Sequence, residues 1–306
     1  MDVVRGHAHC PSWAGAAIAI GNFDGVHVGH RALIDRARAL AGGGIKTVVL
    51  TFDPHPSTIL GTPRAQLASL PRRLELLAAA GCDAVVVEPF TPAFAALGSD
   101  AFIDDVLVRA LGARAIIVGY DFLYGANRCG TIETLTAHCA RIGVALAIVP
   151  PVEIDGEVAS STRIRQLLRE GDVMRAARML DRPWDVDGVV VHGAKRGRAI
   201  GIPTANIAPT SDLVVAPGIY AVTLSVEGGP ERLAVASLGT NPTFVQQGGL
   251  VLEVHVLDFD GDLYNRHVRT TFVGRLRDEA KYDSIDALLV QIHQDIADAR
   301  AVLAAR

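Results

Sequence analysis

The 306-residue sequence is poor in aromatic side chains, which make up 5% of the chain, and it has only four cysteines. No two cysteines form a CxxC pair, and the spacing of Cys129, His138 and Cys139 matches no common zinc pattern. Reduced, structural cysteines are therefore expected. The N-terminus also lacks a basic segment followed by an apolar core, so we expect a cytoplasmic protein.

The chain also lacks an excess of positive charge and any apolar run of membrane-spanning length. Its formal net charge is −4 and neither half is basic, which argues against a large nucleic-acid interface. Half of the residues are hydrophobic, and 306 residues are many for a single core. The composition therefore predicts a globular protein of two domains that binds neither nucleic acid nor membrane. No obligate protein partner is inferred.

The first half of the chain alternates apolar strand patterns with helical patterns. Strands are predicted over 16–20, 46–52, 84–87, 115–118 and 144–149, and helices from about 27–30, over 70–80, over 99–111 with Ser99 as N-cap, and over 132–142. Strands separated by helices indicate right-handed crossovers and a parallel sheet with both faces covered. In such sheets ligands bind beyond the carboxyl ends of the strands.

Residues 21–30 read GNFDGVHVGH and follow the first predicted strand directly. The pattern indicates a strand, a glycine loop and a helix whose first turn carries His27 and His30. Open backbone N–H groups, the positive end of the helix dipole and two imidazoles all favour phosphate. Neither GxGxxG nor GxxxxGK[ST] follows this strand, which excludes the dinucleotide fingerprint and the Walker loop.

Another segment with a distinctive pattern is SSTRIRQLL at 160–168, which places hydroxyls just before a run of apolar residues at helical spacing. Hydroxyls in that position are helix N-cap signals, and Arg163 and Arg165 then lie in the first turns. By itself this pattern also fits a capped helix with solvated arginines.

From about residue 183 the helices give way to short strands, predicted over 186–192, 219–226, 233–238, 250–259 and 268–273. Evenly spaced short strands indicate a small antiparallel barrel, and a helix over 283–304 with Ser284 as its cap closes the chain. The predicted domains are therefore 1–182 and 183–306.

Within the second half, residues 193–206 read GAKRGRAIGIPTAN. Glycines let a loop approach a ligand closely, and the basic residues between them supply positive charge. Thr204 and Asn206 offer a hydroxyl and an amide oxygen, hard ligands that suit Mg²⁺ beside phosphates. A basic hairpin tip is the alternative for the lysine and arginines alone.

Taken together, GNFDGVHxGH, SSTRIR and GRAIGIPTAN resemble the motifs of the bacterial bifunctional riboflavin kinase/FMN adenylyltransferases, or FAD synthetases. Further stretches resemble that family in the same order, among them Asn241-Pro-Thr-Phe, Glu253-Val-His and Arg277-Asp-Glu-Ala-Lys-Tyr, so the resemblance covers nearly the whole chain. It implies an α/β protein with an N-terminal nucleotidyltransferase domain of the HxGH type. A C-terminal β-barrel riboflavin kinase domain with a terminal helix would follow.

The resemblance also implies two reactions. ATP phosphorylates riboflavin to FMN, and a second ATP adenylylates FMN to FAD with release of pyrophosphate, with Mg²⁺ as the cofactor. It assigns Glu253 as general base for the riboflavin 5′-hydroxyl, Thr204 and Asn206 to Mg²⁺, and His27, His30 and Arg163 to catalysis of adenylyl transfer.

The remaining assignments are binding residues. Those implied for ATP or phosphate are Gly21, Phe23, Asp24, Gly25, Ser161, Thr162, Arg165, Gly193, Lys195, Gly197, Arg198, Gly201 and Pro203. Those implied for flavin in the N-terminal domain are Asp53, His55, Asp121 and Phe122.

Three positions depart from the family pattern. Val158 stands where a basic residue is usual, Leu123 where Arg or Thr is usual, and Tyr124 where Phe is usual.

Two other functions are compatible with parts of the sequence. A fragment of an aminoacyl-tRNA synthetase would share the HxGH sheet, but it would need a lysine-rich loop in place of SSTRIR. A non-catalytic flavin-binding or sensor protein with a degenerate site is the other, and Val158 is the residue that favours it.

Overall fold

The computed structural model of the chain describes residues 1–11, 13, 15–193, 197, 200–240 and 250–305. The chain divides into a sheet unit, residues 1–64 with 70–160, and a barrel unit, residues 65–69 with 161–306. Residues 161–180 therefore belong with the barrel unit in space. The domain limits 1–182 and 183–306 differ from this division and stay a prediction.

Six parallel strands form the centre of the sheet unit. They are β1 (Asp2–Arg5), β2 (Ala16–Ile20), β3 (Lys46–Asp53), β4 (Ala84–Pro89), β5 (Ala113–Gly119) and β6 (Ala145–Val149). Their spatial order is β1-β4-β3-β2-β5-β6, and every neighbouring pair is parallel. The predicted parallel sheet is confirmed. The four-residue edge strand β1 was not predicted, because Val3 and Val4 alone make no periodic pattern.

The helices of the sheet unit are α1 (Val28–Ala41), α2 (Pro56–Ile59), α3 (Leu70–Ala79), α4 (Pro92–Ala95), α5 (Ser99–Ala101) and α6 (Ile132–Ile142). Short 3₁₀ turns cover His7–His9 and Ala126–Arg128, and a hairpin joins β7 (Glu153–Ile154) to β8 (Glu157–Val158).

The helix predicted over 99–111 is only partly an α-helix. After α5 the chain winds as a π-helix over Phe102–Ala110, in which Phe102, Ile103, Val106 and Leu107 are buried. That spacing suits the wider turn of a π-helix and also reads as an amphipathic α-helix in the sequence. The predicted cap was wrong: Gly98 occupies the N-cap position with an extended backbone, and Ser99 is the first helical residue.

In the described part of the barrel unit, six antiparallel strands are accompanied by helices. The strands are β9 (Trp184–Val191), β10 (Ala205–Pro209), β11 (Gly218–Val226), β12 (Arg232–Thr240), β13 (Leu250–Val256) and β14 (His267–Arg277), and the helices are α7 (Ser161–Arg169), α8 (Val173–Leu180) and α9 (Ile285–Ala304). The strands close into a barrel in the order β10-β13-β12-β11-β14-β9. Trp184, Tyr220 and Phe272 pack in its core, where the Phe272 ring centroid lies 5.1 Å from that of Trp184 and 5.3 Å from that of Tyr220.

The predicted barrel and terminal helix are confirmed. Ser284 caps α9 as expected, because its hydroxyl accepts a hydrogen bond from the Ala287 N–H at 3.1 Å. Strand β10 was missed, since Ile207 is its one buried residue and no apolar alternation marks it. Across the described ranges, no helix combines the length and apolar character needed to cross a membrane.

Candidate active sites

The sheet order brings three predicted loops to one edge of the sheet unit. β2 lies between β3 and β5, and the carboxyl ends of all three strands point the same way. The glycine loop, residues 21–27, follows β2. Asp53 ends β3, and the loop after Gly119 carries Asp121 and Phe122. Side chains predicted for phosphate and for flavin therefore share the edge at which parallel sheets bind ligands.

The glycine loop is buried and conformationally tight. Phe23 has φ 50° and Val26 has φ 44°, left-handed values that are rare for residues other than glycine, and both side chains are buried. Gly25 also has positive φ, at 82°, and the Asp24 side chain is buried beside it. The Phe23 ring packs closely over Gly21, because a Cβ there would lie 3.3 Å from the ring, tighter than ordinary van der Waals contact. A fixed loop of this kind presents backbone N–H groups in one orientation.

The two predicted histidines lie together at the start of α1. His27 is the N-cap residue, and the rings of His27 and His30 stack with centroids 3.7 Å apart. A Cβ at Gly29 would lie 3.1 Å from the His27 ring, so glycine keeps the turn close to the imidazole. The Nδ1 atom of His30 is buried without a hydrogen-bond partner in the described part of the chain.

The charge state of His30 follows from its surroundings. Burial lowers the pKa of His30 well below its ordinary value of 6.5, and the nearby His27 and Arg73 act in the same direction. His30 is therefore a neutral imidazole at pH 7. A neutral ring has one N–H donor and one acceptor nitrogen, and only the donor suits a phosphate oxygen.

Two side chains that sequence reasoning missed support the glycine loop from inside the fold. Thr51 of β3 and Arg73 of α3 both donate to the carbonyl oxygen of Asn22, each at 3.0 Å. A signal for Arg73 was present in the sequence: it shares the buried face of α3 with Leu76 and Leu77, where an arginine is unusual.

The residues predicted for flavin in the sheet unit occupy different environments. His55 is buried and caps α2, accepting from the Ser57 N–H at 3.2 Å. Asp121 is exposed, whereas Phe122 is half-buried and stacks on Tyr124 with centroids 5.6 Å apart. Tyr124, one of the departures from the family pattern, is thus a packing partner of Phe122.

Residues 161–165 of the SSTRIR segment form the start of α7 and belong to the barrel unit, and their predicted role at phosphates stays a prediction. Arg163 Nη1 lies 3.9 Å from a carboxylate oxygen of Glu170. Arg165 is buried, and its Nε donates to the carbonyl of Ala65 at 2.6 Å, which gives this guanidinium a structural partner. Val158, in β8 of the sheet unit, is 37% exposed.

A second candidate site lies on the barrel. The antiparallel register of β10 and β13 places Asn206 opposite Glu253, and the Thr204 hydroxyl donates to a Glu253 carboxylate oxygen at 3.3 Å. His255, two residues along the same strand, bonds through Nδ1 to the Pro203 carbonyl at 2.7 Å. Strand pairing thus assembles the predicted hydroxyl, amide and carboxylate groups at one place.

Beside these groups is a cavity of about 510 Å³, whose lining includes Gly193, Pro203, Thr204, Asn206, Asp262 and Tyr264. The Tyr264 ring packs on His192 with centroids 4.0 Å apart, a pair that the sequence did not indicate. A Cβ at Gly193 would clash with the Asn206 amide group, so a larger residue at this position would displace the Asn206 side chain. Gly201 has φ 80°. Gly197 is described, whereas Lys195 and Arg198 lie outside the described residues.

The donor set on the barrel fits a magnesium ion. The Thr204 hydroxyl and the Asn206 amide oxygen are hard oxygen ligands, and the Glu253 carboxylate is in contact with the first. No cluster of three or more His, Cys, Asp or Glu side chains that could enclose a metal occurs among the described residues. Few protein ligands and a neighbouring cavity are what a magnesium ion shared with substrate phosphates requires.

Two family models match consecutive parts of the chain. Residues 10–163 match the family model of FAD synthetases, and residues 180–303 match that of riboflavin kinases. The bifunctional riboflavin kinase/FMN adenylyltransferase of Listeria monocytogenes is 38% identical over 94% of this chain and 92% of its own length. Those of Pseudomonas fluorescens and Escherichia coli K12 are each 37% identical, over 99% and 98% of this chain and 98% and 97% of their own lengths.

A solved structure has the same fold over its whole length. The crystal structure of a macrolide-efflux protein from Streptococcus pneumoniae is 31% identical to this chain with a TM-score of 0.88, covering 98% of this chain and 99% of that one. That protein is named for efflux, whereas the family models and the relatives are named for flavin chemistry.

Proposed function

Because this chain belongs to the family of bifunctional riboflavin kinase/FMN adenylyltransferases, we infer that it phosphorylates riboflavin to FMN with ATP and adenylylates FMN to FAD with a second ATP. The observation that carries this conclusion is that each of the two family matches coincides with one of the two folds. The FAD synthetase match lies on the parallel sheet with its glycine loop, and the riboflavin kinase match lies on the closed barrel.

We propose that the adenylyl step takes place at the carboxyl edge of the sheet unit. The attacking FMN phosphate is already an anion, so the step needs no general base and depends on positioning and charge neutralisation. The backbone of the glycine loop, including Gly21, Phe23, Asp24 and Gly25, and the imidazoles of His27 and His30 support a phosphate-binding role there. The family resemblance assigns Ser161, Thr162, Arg163 and Arg165 to the nucleotide phosphates of the same step, and Asp53, His55, Asp121 and Phe122 to the flavin.

We propose that the phosphoryl step takes place on the barrel, with Glu253 as general base. Glu253 would accept the proton of the riboflavin 5′-hydroxyl while that oxygen bonds to the γ-phosphorus of ATP and ADP leaves. Thr204 and Asn206 would hold Mg²⁺, which neutralises charge on the ATP phosphates when bound. Gly193, Lys195, Gly197, Arg198, Gly201 and Pro203 would form the loop around those phosphates.

The test is to incubate the purified protein with riboflavin and ATP, with and without Mg²⁺, and to separate the products by chromatography. We expect FMN to appear first and FAD to follow, and neither to form after chelation of Mg²⁺. A flavin-binding protein without turnover would retain riboflavin unchanged. An aminoacyl-tRNA synthetase fragment would leave flavin untouched and release no ADP in response to it.

The division of labour along the chain is tested with fragments. We propose that the kinase domain begins near residue 183, so a fragment of residues 184–306 should phosphorylate riboflavin. The structure adds a second fragment, residues 161–306, which retains α7 and α8 with the buried Leu167, Ala176 and Leu180. We expect this longer fragment to unfold at the higher temperature, because burial of a large apolar side chain such as leucine stabilises by about 1.5–3 kcal/mol. Equal stability would favour the boundary at 183.

We also propose a cytoplasmic location. All four cysteines are free in the structure, and both reactions consume ATP, which fits a reducing, nucleotide-rich compartment. Fractionation of the native cells with detection of the protein by antibody would check this.

A further inference from the structure

Arg73 is the most deeply buried of the arginines that the structure describes, with 1% of its surface exposed. It projects from α3 on the face that also carries the buried Leu76 and Leu77. A guanidinium removed from water costs several kcal/mol unless hydrogen bonds and charges compensate it. Neither of the two proposed reactions uses this residue, so its burial requires another explanation.

The hydrogen bonds of the Arg73 guanidinium lead to the carboxyl edge of the sheet. Nη1 donates to the carbonyl oxygen of Asn22 at 3.0 Å, and Nη2 donates to that of Phe52 at 3.1 Å. Asn22 opens the glycine loop after β2, and Phe52 precedes the Asp53 loop at the end of β3. One planar guanidinium therefore ties two adjacent loops together, which the fork of an arginine does better than a point charge.

The Asn22 carbonyl is held twice. Thr51, which is fully buried, donates to the same oxygen through its hydroxyl at 3.0 Å. Directly after this anchor the backbone takes its left-handed turn at Phe23, followed by a second at Val26. Backbone of this kind costs about 1–3 kcal/mol per residue and persists only where the surrounding structure over-determines it. Arg73 and Thr51 supply that constraint at the start of the loop.

We propose that Arg73 is a positioning residue of the adenylyltransferase site, which fixes the glycine loop beneath the ATP phosphates through the Asn22 and Phe52 carbonyls. This inference rests on the proposed FMN adenylyltransferase activity. Arg73 does not touch the substrate; it acts through the backbone of the glycine loop and through its fixed charge.

The charge has a separate, measurable effect. Burial lowers the pKa of the Arg73 guanidinium, while the Asp24 and Asp53 carboxylates act in the opposite direction. The positive charge also contributes to the lowered pKa of His30, after burial and the neighbouring His27. Loss of the charge should therefore move the titration of His30 upward in pH, whereas loss of a hydrogen bond alone should not.

Three variants of the full-length protein separate these effects. Arg73→Met removes both carbonyl donors and the charge at similar length, Arg73→Lys keeps the charge with fewer donors, and Thr51→Val removes only the second bond to Asn22. The matched control is Arg109→Met, which removes an arginine of the same unit whose side chain is 75% exposed. Each is assayed for FAD from FMN, for FMN from riboflavin, for thermal unfolding, and for the titration of His30 by NMR.

For Arg73→Met we expect kcat for FAD formation to fall about 100-fold, the usual consequence of a misplacement of about 1 Å in an active site. Thr51→Val should cost about fivefold, since one net hydrogen bond is lost, and Arg73→Lys should recover about tenfold of the Arg73→Met loss. Riboflavin phosphorylation should change less than about twofold throughout, because it takes place in the other unit. The His30 titration should move upward in Arg73→Met and stay in place in Thr51→Val and Arg73→Lys.

The outcomes are distinguishable. A wild-type protein that makes no FAD from FMN overturns the proposed function itself. An active wild type together with an Arg73→Met variant within a few-fold of it overturns the role of Arg73. If Arg73→Met fails to fold, Thr51→Val and Arg73→Lys decide: FAD formation at the wild-type rate in both would show that Arg73 serves stability only.

Discussion

The sites proposed for ATP phosphates in the sheet unit and in the barrel unit are built from different kinds of chemical group. In the sheet unit the proposed site is a buried backbone loop followed by the stacked rings of His27 and His30, of which His30 is uncharged. Arg73 and Thr51 hold that loop through the Asn22 carbonyl. On the barrel the proposed site is a group of half-buried side-chain oxygens from Thr204, Asn206 and Glu253, beside an open cavity.

The difference follows from the nucleophiles. An FMN phosphate arrives as an anion, so the sheet unit has to neutralise charge and align groups, for which a rigid backbone is suited. A riboflavin hydroxyl arrives with a proton, and in the proposed barrel site the Glu253 carboxylate accepts it. On this proposal, the protonation state of the attacking oxygen decides which kind of site is needed. An anionic oxygen needs a preorganised loop, and a protonated oxygen needs a general base.

The substitution with the largest expected effect is Glu253→Gln, which keeps the size of the side chain and removes the basic oxygen. Riboflavin kinase activity should fall by about 10²–10⁴, the usual contribution of a general base. FAD formation from supplied FMN should be unchanged, because the sheet unit needs no base. Glu227→Gln, an exposed carboxylate of the same barrel that pairs with Arg266, serves as the control. Kinase turnover within a few-fold of wild type would reduce Glu253 to an orienting role.

His30→Ala should produce the converse result. Loss of a preorganised phosphate donor costs about 2.7–4 kcal/mol, so FAD formation from FMN should fall by about two to three decades. Riboflavin phosphorylation should continue at its normal rate. His9→Ala, which removes an exposed imidazole from the same unit, should leave both rates intact. Near-normal FAD synthesis by the His30 variant would show that the stacked imidazoles serve packing only.

Asp295→Asn tests whether the barrel unit unfolds independently of the sheet unit. Asp295 is buried on α9 and accepts two hydrogen bonds from Arg277, at 2.8 and 2.7 Å. Removing its charge should cost about 3 kcal/mol, the low end for breaking a buried pair, because the Arg277 side chain is partly exposed. On heating, kinase activity should therefore be lost well before adenylyltransferase activity. The exposed Asp298→Asn is the matched control, and simultaneous loss of both activities would contradict independent units.

The smallest expected effect is on the acid side of stability. His30 has a pKa well below 6.5 in the folded state, so the unfolded chain binds more protons below that pH. The sheet unit should therefore lose stability as pH falls from about 6.5 towards the lowered pKa of His30. Denaturant titrations at several pH values, compared between wild type and His30→Asn, should show a weaker pH dependence in the variant. Parallel slopes would mean that His30 is not the group responsible.

Much of the architecture could be predicted from the sequence. The parallel sheet, the closed barrel and the cap of α9 followed from periodicity and local hydrogen-bond chemistry, which act within a few residues along the chain. The placement of His27 and His30 at a helix start followed in the same way. Hydrophobic periodicity did not predict the π-helix within 99–111, because its buried face has a spacing that resembles that of an α-helix. It also missed β10, whose apolar and polar residues alternate too weakly.

By itself the sequence determined which residues are candidates for the chemistry, since a glycine loop, a pair of imidazoles and a carboxylate are recognised by residue type and short spacing. Only the tertiary structure decided what holds them. Arg73 is 51 residues from Asn22 in the chain, and Glu253 is 49 residues from Thr204. Nothing local in the sequence relates such pairs, because they meet only when adjacent strands align in register and a helix packs its buried face against their ends.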